Sequence, residues 1–383
     1  MGADCAMLAV AKIVLREYAD MKLTSIEATV VRPRKAGVVG IPIVEVRTED
    51  GLTGWGEGQA SVAPHAICDI VRELLSPALQ NRSFRGEREE IESLWDRMYA
   101  IMRDEGQTGG FTPEAIGAVD MALWDLAGKA QNQPVWQVAG NPCGAAEVES
   151  FVSLPCEDAA MLAGAVATLV DAGFEVFELT YNRGKDELIA ALDFLKKALA
   201  KGGRVAVNAC WRLGQAGDFR LERQIDQHGP LWLANPLPPE DPFAHGRLAK
   251  AMCTPLALGE SYHTHYELAP FFHELAVGVL QPDLGRCGLT EAFRMAEMAK
   301  SHNVPVVVRV GESIGPQLAA ALQFAAAAPG RRVEYRQSRL RCANAVLTRP
   351  IEVKQGRYQV PGMPGLGIEI EELELHLMET QAA

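Results

Sequence analysis

The second half of the chain alternates between short apolar runs, rich in Val, Leu or Phe, and longer segments with apolar residues at helical spacing. Eight strand candidates fall at 149–154, 176–179, 205–209, 231–234, 256–258, 277–281, 305–310 and 332–335. The positions at the ends of six of them are Glu178, Asn208, Ala234, Glu260, Asp283 and Arg309, at steps of 30, 26, 26, 23 and 26 residues. One strand, one helix and two loops take about that many residues, so the pattern predicts an α/β fold, a (β/α)8-type barrel or modified TIM barrel.

The first third of the chain shows a different pattern, in which strands precede helices. Alternating apolar residues at 22–32 and 41–47 predict two strands, and the residues at 49–51 predict the turn into a third. Three helical patterns follow at 63–79, 87–103 and 113–130. We therefore expect an N-terminal extension at 1–20, an α+β capping domain at 21–145 joined by the returning C-terminal segment 351–383, and a barrel domain at 146–350.

Composition and charge exclude several classes of function. Of the 383 residues, 48% are hydrophobic and 22% are charged, as in an ordinary globular protein. The formal net charge of −12 argues against a nucleic-acid partner, and no apolar stretch reaches the roughly 20 residues that span a bilayer. The eight cysteines are scattered without a CxxC pair, which indicates reduced thiols and a cytoplasmic location. The expected partner is a small-molecule substrate.

Four segments carry a resemblance to a known family. They are EVRTEDGLTGWGE at 45–57, AVDMALWDLAGK at 118–129, WLANPLPPED at 232–241 and QPDLGRCGLTE at 281–291. In this order and at this spacing, they make the chain from Met21 onward similar to the enolase superfamily, specifically its mandelate racemase and muconate lactonizing enzyme branch. The resemblance implies a capped barrel that assembles as a homo-oligomer, either a dimer or an octamer.

The same resemblance implies one Mg²⁺ held by three carboxylates at the ends of barrel strands three, four and five, where it stabilises an enediolate. The corresponding positions here are Asn208, Ala234 and Glu260. Asparagine offers a neutral carbonyl oxygen and alanine offers no ligand, so this metal set is degenerate. We therefore expect no cofactor and disfavour Mg²⁺. An alternative metal site would use His263 and His265 beside Glu260.

The bases that the resemblance implies are altered as well. A lysine pair on the second strand corresponds to Glu178 and Thr180, and an Asp–His dyad on strands six and seven corresponds to Asp283 and Arg309. A guanidinium stays protonated at any usable pH, so Arg309 cannot serve as a base. Two roles stay open for it: a buried ion pair with Asp283, or a fork onto a substrate oxyanion or carboxylate.

Three carboxylates, those of Glu178, Glu260 and Asp283, would share one cavity beside Arg309. Either one of them is protonated near neutral pH, or a cation such as an amine ligand lies among them. These four residues form the predicted catalytic set. The predicted substrate-binding residues are Thr180, Asn208, Cys210, Glu312 and Glu334.

The altered set leaves three functional hypotheses. The first is a divergent, metal-independent acid–base isomerase or lyase, similar to a dehydratase or an epimerase, that acts on a small polar metabolite. The second is a catalytically inactive protein that binds a ligand or a partner protein. The third is a conventional Mg²⁺-dependent racemase or dehydratase, which Ala234 argues against.

Overall fold

The structure is a computed structural model, and it describes residues 21–32, 40–59, 62–141, 143–156, 159–199, 202–214, 219–328 and 330–371. The predicted extension at 1–20 and the end of the predicted C-terminal return, 372–383, lie outside the described residues. No helix in the described ranges is both long enough and apolar enough to cross a membrane.

A small antiparallel sheet forms the N-terminal unit. Its strands are β1 Met21–Val31, β2 Ile41–Thr48, β3 Thr53–Glu57 and β4 Ser83–Phe84, in the order β3-β2-β1-β4. Its helices are α1 Pro64–Ile70, α2 Ser76–Leu79, α3 Arg88–Asp104, α4 Phe111–Gln131 and α5 Val135–Val138. A π-helical segment, Val71–Leu75, joins α1 to α2.

Helix α4 packs directly on β3 because two glycines of that strand allow a close approach. A Cβ at Gly56 would lie 1.9 Å from the carbonyl oxygen of Ala118, and one at Gly54 would lie 2.2 Å from that of Ala122. The Asp125 carboxylate of the same helix accepts a hydrogen bond from the backbone N–H of Trp55 at 2.9 Å. The helix is buried almost all round, because its other side faces the barrel.

Eight parallel strands form the barrel. They are β5 Glu147–Pro155, β6 Val176–Thr180, β7 Arg204–Asn208, β8 Leu233–Ala234, β9 Leu256–Leu258, β10 Val279–Leu280, β11 Val307–Val308 and β12 Arg332–Tyr335. Their order is β10-β9-β8-β7-β6-β5-β12-β11, and single bridges between 280 and 306 and between 283 and 309 join the two ends. The predicted capped (β/α)8-type barrel is therefore confirmed.

Helices follow the barrel strands in sequence. They are α6 Ala159–Asp171, α7 Lys185–Ala198, α8 Arg220–Gln227, α9 Pro242–Ala251, α10 His265–His273, α11 Leu284–Ser301, α12 Pro316–Ala326 and α13 Gln337–Asn344. A last hairpin, β13 Val353–Lys354 with β14 Arg357–Gln359, pairs antiparallel with β5 of the barrel. Farther along, the N–H of Leu366 donates to the Asp125 carboxylate at 2.7 Å, so the C-terminal segment contacts both units. The predicted domain boundaries stay a prediction.

The capping unit is attached to the barrel at α11. Gly288 interrupts this helix with φ 72, and the Asp120 carboxylate of α4 accepts hydrogen bonds from the N–H groups of Leu289 and Thr290, both at 2.8 Å. A carboxylate in this place satisfies free N–H groups where the helix restarts. Helix α4 therefore fixes the element that begins at the end of strand β10.

Candidate active site

The polar residues predicted at the strand ends meet on one rim of the barrel. Thr180 on β6 lies beside Asn208 on β7, and Asn208 lies beside Ala234 on β8. Asp283 and Arg309 form a bridge between the ends of β10 and β11. These pairs share the carboxyl-terminal side of the parallel sheet, as the intervals along the chain predict.

A fully buried ion pair occupies the centre of the barrel. The Glu178 side chain is 0% exposed and Oε1 accepts a hydrogen bond from Nη1 of Arg309, which is 2% exposed. Oε2 of the same carboxylate accepts from the indole N–H of Trp232 at 2.7 Å and from the amide of Gln281 at 3.3 Å. The Glu178 carboxylate therefore has donors on both oxygens and does not face the mouth.

Arg309 also faces two more carboxylates. Its Nε lies 3.3 Å from Oε2 of Glu260 and 3.6 Å from Oε2 of Glu334. Burial lowers the pKa of Arg309, but the charges of its carboxylate neighbours outweigh burial and hold that pKa well above its ordinary value. For the Glu334 carboxyl, burial raises the pKa, but the charges of Arg309 and Arg336 outweigh burial and hold that pKa below its usual value. Arg309 is thus the cation among these carboxylates.

These contacts fit neither of the two roles predicted for Arg309, the ion pair with Asp283 and the fork onto a substrate. The predicted ion pair with Asp283 is wrong: the Asp283 carboxyl accepts instead from the N–H of Gly285 at 3.0 Å and from the Gln317 amide at 2.6 Å. The two residues are backbone neighbours, but Asp283 caps helix α11 whereas Arg309 reaches into the barrel. A fork onto a substrate is disfavoured because the guanidinium already faces the carboxylates of Glu178, Glu260 and Glu334.

Asp283, an acid of the predicted set, has a raised pKa. Its carboxyl is 1% exposed, and burial raises the pKa to about 7 from an ordinary value of 3.8. Both of its hydrogen bonds come to Oδ1. A carboxyl group of this kind is a proton donor near neutral pH.

Glu260 is the acid that reaches the barrel mouth. Its side chain is 18% exposed, against 0% for Glu178 and 1% for Glu334. The Asn235 amide donates to Oε2 at 2.6 Å, and Arg309 approaches the same oxygen. Asn235 itself has a left-handed backbone, with φ 47. Oε1 has no protein partner in the part of the chain that the structure describes.

The three positions that correspond to family metal ligands do not form a carboxylate cage. Asn208 Oδ1 accepts from the N–H of Cys210 at 3.0 Å and from the Asn235 amide at 3.3 Å, and Ala234 presents a buried methyl group. Within the described ranges, no group of three or more His, Cys, Asp or Glu side chains is arranged to hold a metal ion. The residues present therefore do not fit a three-carboxylate Mg²⁺ site.

The alternative metal site at the two histidines is not formed either. His263 lies between Glu114 and Glu267, with nitrogen–oxygen distances of 3.4 and 3.3 Å. His265 instead contacts Glu291 at 2.9 Å. The two rings thus contact separate carboxylates and do not converge on one metal site.

The remaining predicted residues are distributed unevenly around the rim. Thr180 faces Ser153, with the hydroxyl oxygens 3.4 Å apart, beside a cavity of about 680 Å³. Burial and the nearby Glu260 raise the pKa of the half-buried Cys210 thiol, which disfavours a nucleophilic thiolate. Glu312 forms an ion pair with Arg339.

Several residues of the site were missed from the sequence. They are Gln59, Trp232, Asn235, Gln281 and Gln317, all of which hydrogen-bond to the carboxylates or amides described above. The WLANP segment offered one signal, because Asn235 directly follows Ala234 at the end of β8. Gln317 offered none, since it lies inside the first turn of α12.

The fold and the rim define a capped β/α-barrel with a carboxylate-rich site at the carboxyl ends of its strands. Residues 23–140 match the mandelate racemase / muconate lactonizing enzyme N-terminal domain, and residues 160–374 match the enolase C-terminal domain-like family. The chain belongs to the enolase superfamily, in its mandelate racemase and muconate lactonizing enzyme branch.

Named relatives are enzymes. The chain is 29% identical to the D-galactarolactone cycloisomerase of Agrobacterium fabrum over 86% of this chain and 88% of the relative. It is 25% identical to the D-xylonate dehydratase of Haloferax volcanii over 94% of this chain and 90% of the relative. The prediction of an enzyme of the isomerase or lyase type is thereby confirmed, whereas the predicted dimer or octamer stays a prediction.

One solved structure corrects the expectation about cofactors. A mandelate racemase/muconate lactonizing protein from Paracoccus denitrificans, complexed with magnesium, superposes with a TM-score of 0.82 at 23% identity, covering 94% of this chain and 98% of that one. The expectation that no cofactor takes part was therefore wrong, because a protein of this fold holds the ion. That expectation rested only on the residues at three strand ends, Asn208, Ala234 and Glu260. Magnesium belongs among the conditions of any assay of this protein.

Proposed function

We propose that this protein is a lyase or isomerase that moves a proton on a small, hydroxyl-rich, sugar-derived substrate at the barrel mouth. The observation that carries the proposal is the Glu260 carboxylate, which is 18% exposed. One of its oxygens accepts a hydrogen bond from Asn235 and lies 3.3 Å from Nε of Arg309. Its other oxygen is left to accept a proton from a bound ligand. The relatives named as a cycloisomerase of a sugar lactone and a dehydratase of a sugar acid support this reaction class.

The charges of the site favour a substrate whose reacting end is neutral. Two guanidinium groups, of Arg309 and Arg336, face the carboxyl groups of Glu178, Glu260 and Glu334. A free substrate carboxylate would add another negative charge to this excess. A lactone fits better, since its enolate carries one negative charge where that of a carboxylate carries two.

In the proposed reaction, Oε1 of Glu260 takes the proton from the carbon next to the substrate carbonyl, and the electron pair left behind forms an enolate. The C–O bond of the hydroxyl on the following carbon then breaks. That oxygen leaves as water with the proton of Asp283, whose raised pKa of about 7 suits the donor role. The carbon that lost its proton also carries a hydroxyl group, so the product is an enol. It becomes a ketone as the enol hydroxyl gives up its proton and the neighbouring carbon takes one, and the proton on Glu260 returns to Asp283 through solvent. No step is assigned to a metal ion.

The test is proton exchange and turnover in D₂O, followed by ¹H NMR. A panel of aldonic acids, aldaric acids and their lactones is incubated with the protein, each with and without Mg²⁺. Glu260→Gln should lower the rate on an accepted substrate by about 10²- to 10⁴-fold, the usual contribution of a general base. The matched control is Glu297→Gln on α11, whose side chain is 67% exposed and pairs with Lys300. Equal rates in both variants would refute the role of Glu260.

A second candidate, a ligand-binding protein without turnover, is favoured by one observation. The guanidinium of Arg309 is paired with carboxylates, so this cation is not left to stabilise a negative charge on a reacting ligand. This candidate predicts ligands that raise the melting temperature but show neither exchange nor product under any condition of the panel. The proposed proton transfer by Glu260 and Asp283 would then fall.

A further inference from the structure

Glu57, the last residue of β3, reaches from the capping unit into the start of barrel helix α12. It is fully buried, and its carboxylate accepts from the Ser313 hydroxyl at 2.9 Å and from the N–H groups of Ile314 and Gln317 at 2.8 and 2.9 Å. A carboxylate that binds N–H groups at a helix start fixes that helix in place. The capping sheet therefore sets the position of Gln317.

The side chain of Gln317 continues this chain of contacts to Asp283. Its amide nitrogen donates to Oδ1 of Asp283 at 2.6 Å and to Oε1 of Gln59 at 3.1 Å. Two glycines leave the space for these amides. A Cβ at Gly285 would lie 2.8 Å from the Gln317 amide, and a Cβ at Gly311 would lie 1.8 Å from the Gln59 amide nitrogen. The amides of Gln317 and Gln59 thus fill the space that a side chain at Gly285 or Gly311 would occupy.

We propose that Gln317 is a positioning residue, which orients the Asp283 carboxyl and connects it to the capping unit through Gln59 and Glu57. The proposal rests on the proposed function, in which Asp283 donates a proton. Because Gln317 and the N–H of Gly285 both donate to Oδ1, the other oxygen, Oδ2, is the one that carries the proton. A proton on a fixed oxygen is delivered in a fixed direction.

A donor to the ionised form of Asp283 also opposes the effect of burial on its pKa. Other charged or titratable groups act on the same carboxyl: Arg286 and Cys287 on α11, Glu260 after β9, and Glu334 on β12. Gln317 differs from them because it contacts Asp283 directly. Removal of its amide should therefore raise the pKa of Asp283 further.

The chain offers a matched control on the same helix. Gln323 is also fully buried, and its amide donates to the carbonyl oxygens of Pro361 and Leu366, at 2.8 and 3.1 Å. Gln317→Met and Gln323→Met each remove a buried amide with two acceptors, so both should lower the melting temperature. Only Gln317→Met should change the pKa of Asp283.

The experiment is a pH titration of ¹³C-labelled aspartate carboxyl groups by NMR, in the intact protein without substrate. Gln317→Met should raise the Asp283 pKa by about one unit, a roughly tenfold change in its ionisation constant, and Gln323→Met should leave it unchanged. Gln317→Glu, of nearly the same shape, should raise it at least as much and serves if the methionine variant does not fold. An unchanged Asp283 pKa in the Gln317 variants would overturn the proposal. A shifted pKa without turnover on any substrate would instead count against the proposed function alone.

Discussion

Replacement of Arg309 by methionine should destabilise the barrel strongly. The guanidinium is 2% exposed and is the charged partner of Glu178, which is 0% exposed. Removal of one partner of a buried ion pair costs about 3–5 kcal/mol, because an uncompensated charge stays behind. We expect the lower end of this range, since Trp232 and Gln281 still donate to Glu178 and Arg336 still pairs with Glu334 at 2.7 Å. The loss should shrink at acidic pH, where the orphaned carboxylate can take a proton.

The assay is urea unfolding followed by tryptophan fluorescence, with Trp232 as a reporter beside Glu178. The Glu178→Gln/Arg309→Met double variant should be more stable than Arg309→Met alone, because it removes the orphaned charge. Arg72→Met is the control: this exposed arginine pairs with Asp69 at 2.6 Å, and its loss should cause no measurable change. A cost below about 1 kcal/mol for Arg309→Met, typical of exposed pairs, would refute the reasoning.

Two further predictions concern the junction and the strand ends. Burial lowers the pKa of His263, but hydrogen bonds to Glu114 and Glu267 outweigh it and raise that pKa to about 9. The stability from this ion pair is fully present below pH 6.5, the ordinary pKa, and is lost as the pH rises towards 9. The melting temperature of the wild type should therefore fall across this range while that of His263→Gln stays flatter; parallel curves would contradict this. Asn208→Asp combined with Ala234→Glu should bind Mg²⁺ more tightly than the wild type in calorimetry, because Ala234 lies between Asn208 and the strand that Glu260 follows. No gain over Asn208→Asp alone would contradict that geometry.

The sequence predicted the barrel and its rim because one strand and one helix take a nearly constant number of residues. That interval placed Asn208 beside Ala234 and Asp283 beside Arg309, as the structure does. The order of the strands in the barrel follows their order in the chain and does not depend on the side chains at their ends. The intervals along the chain are therefore enough to predict which strand ends are adjacent.

The pairing across the barrel could not be predicted in the same way. Arg309 pairs with Glu178, a residue 131 positions away in the chain and on a strand that is not its neighbour. Only the closed barrel brings these side chains together. Asp283 was misassigned for a local reason, because its carboxyl is used to cap α11 and to accept from Gln317.

The Glu178–Arg309 pair bears on whether the site is functional. Where the family resemblance implies a lysine on the second strand and a histidine on the seventh, this chain has an acid and an arginine, which compensate each other in charge. A barrel without function has no need of such a pair, since well-packed apolar residues of similar volume are often as stable or more stable. The pair also places the Nε of Arg309 at 3.3 Å from Glu260, the most exposed carboxylate of the cluster. Loss of activity in Arg309→Met, with Glu178→Gln restoring stability but not turnover, would separate this role from the structural one.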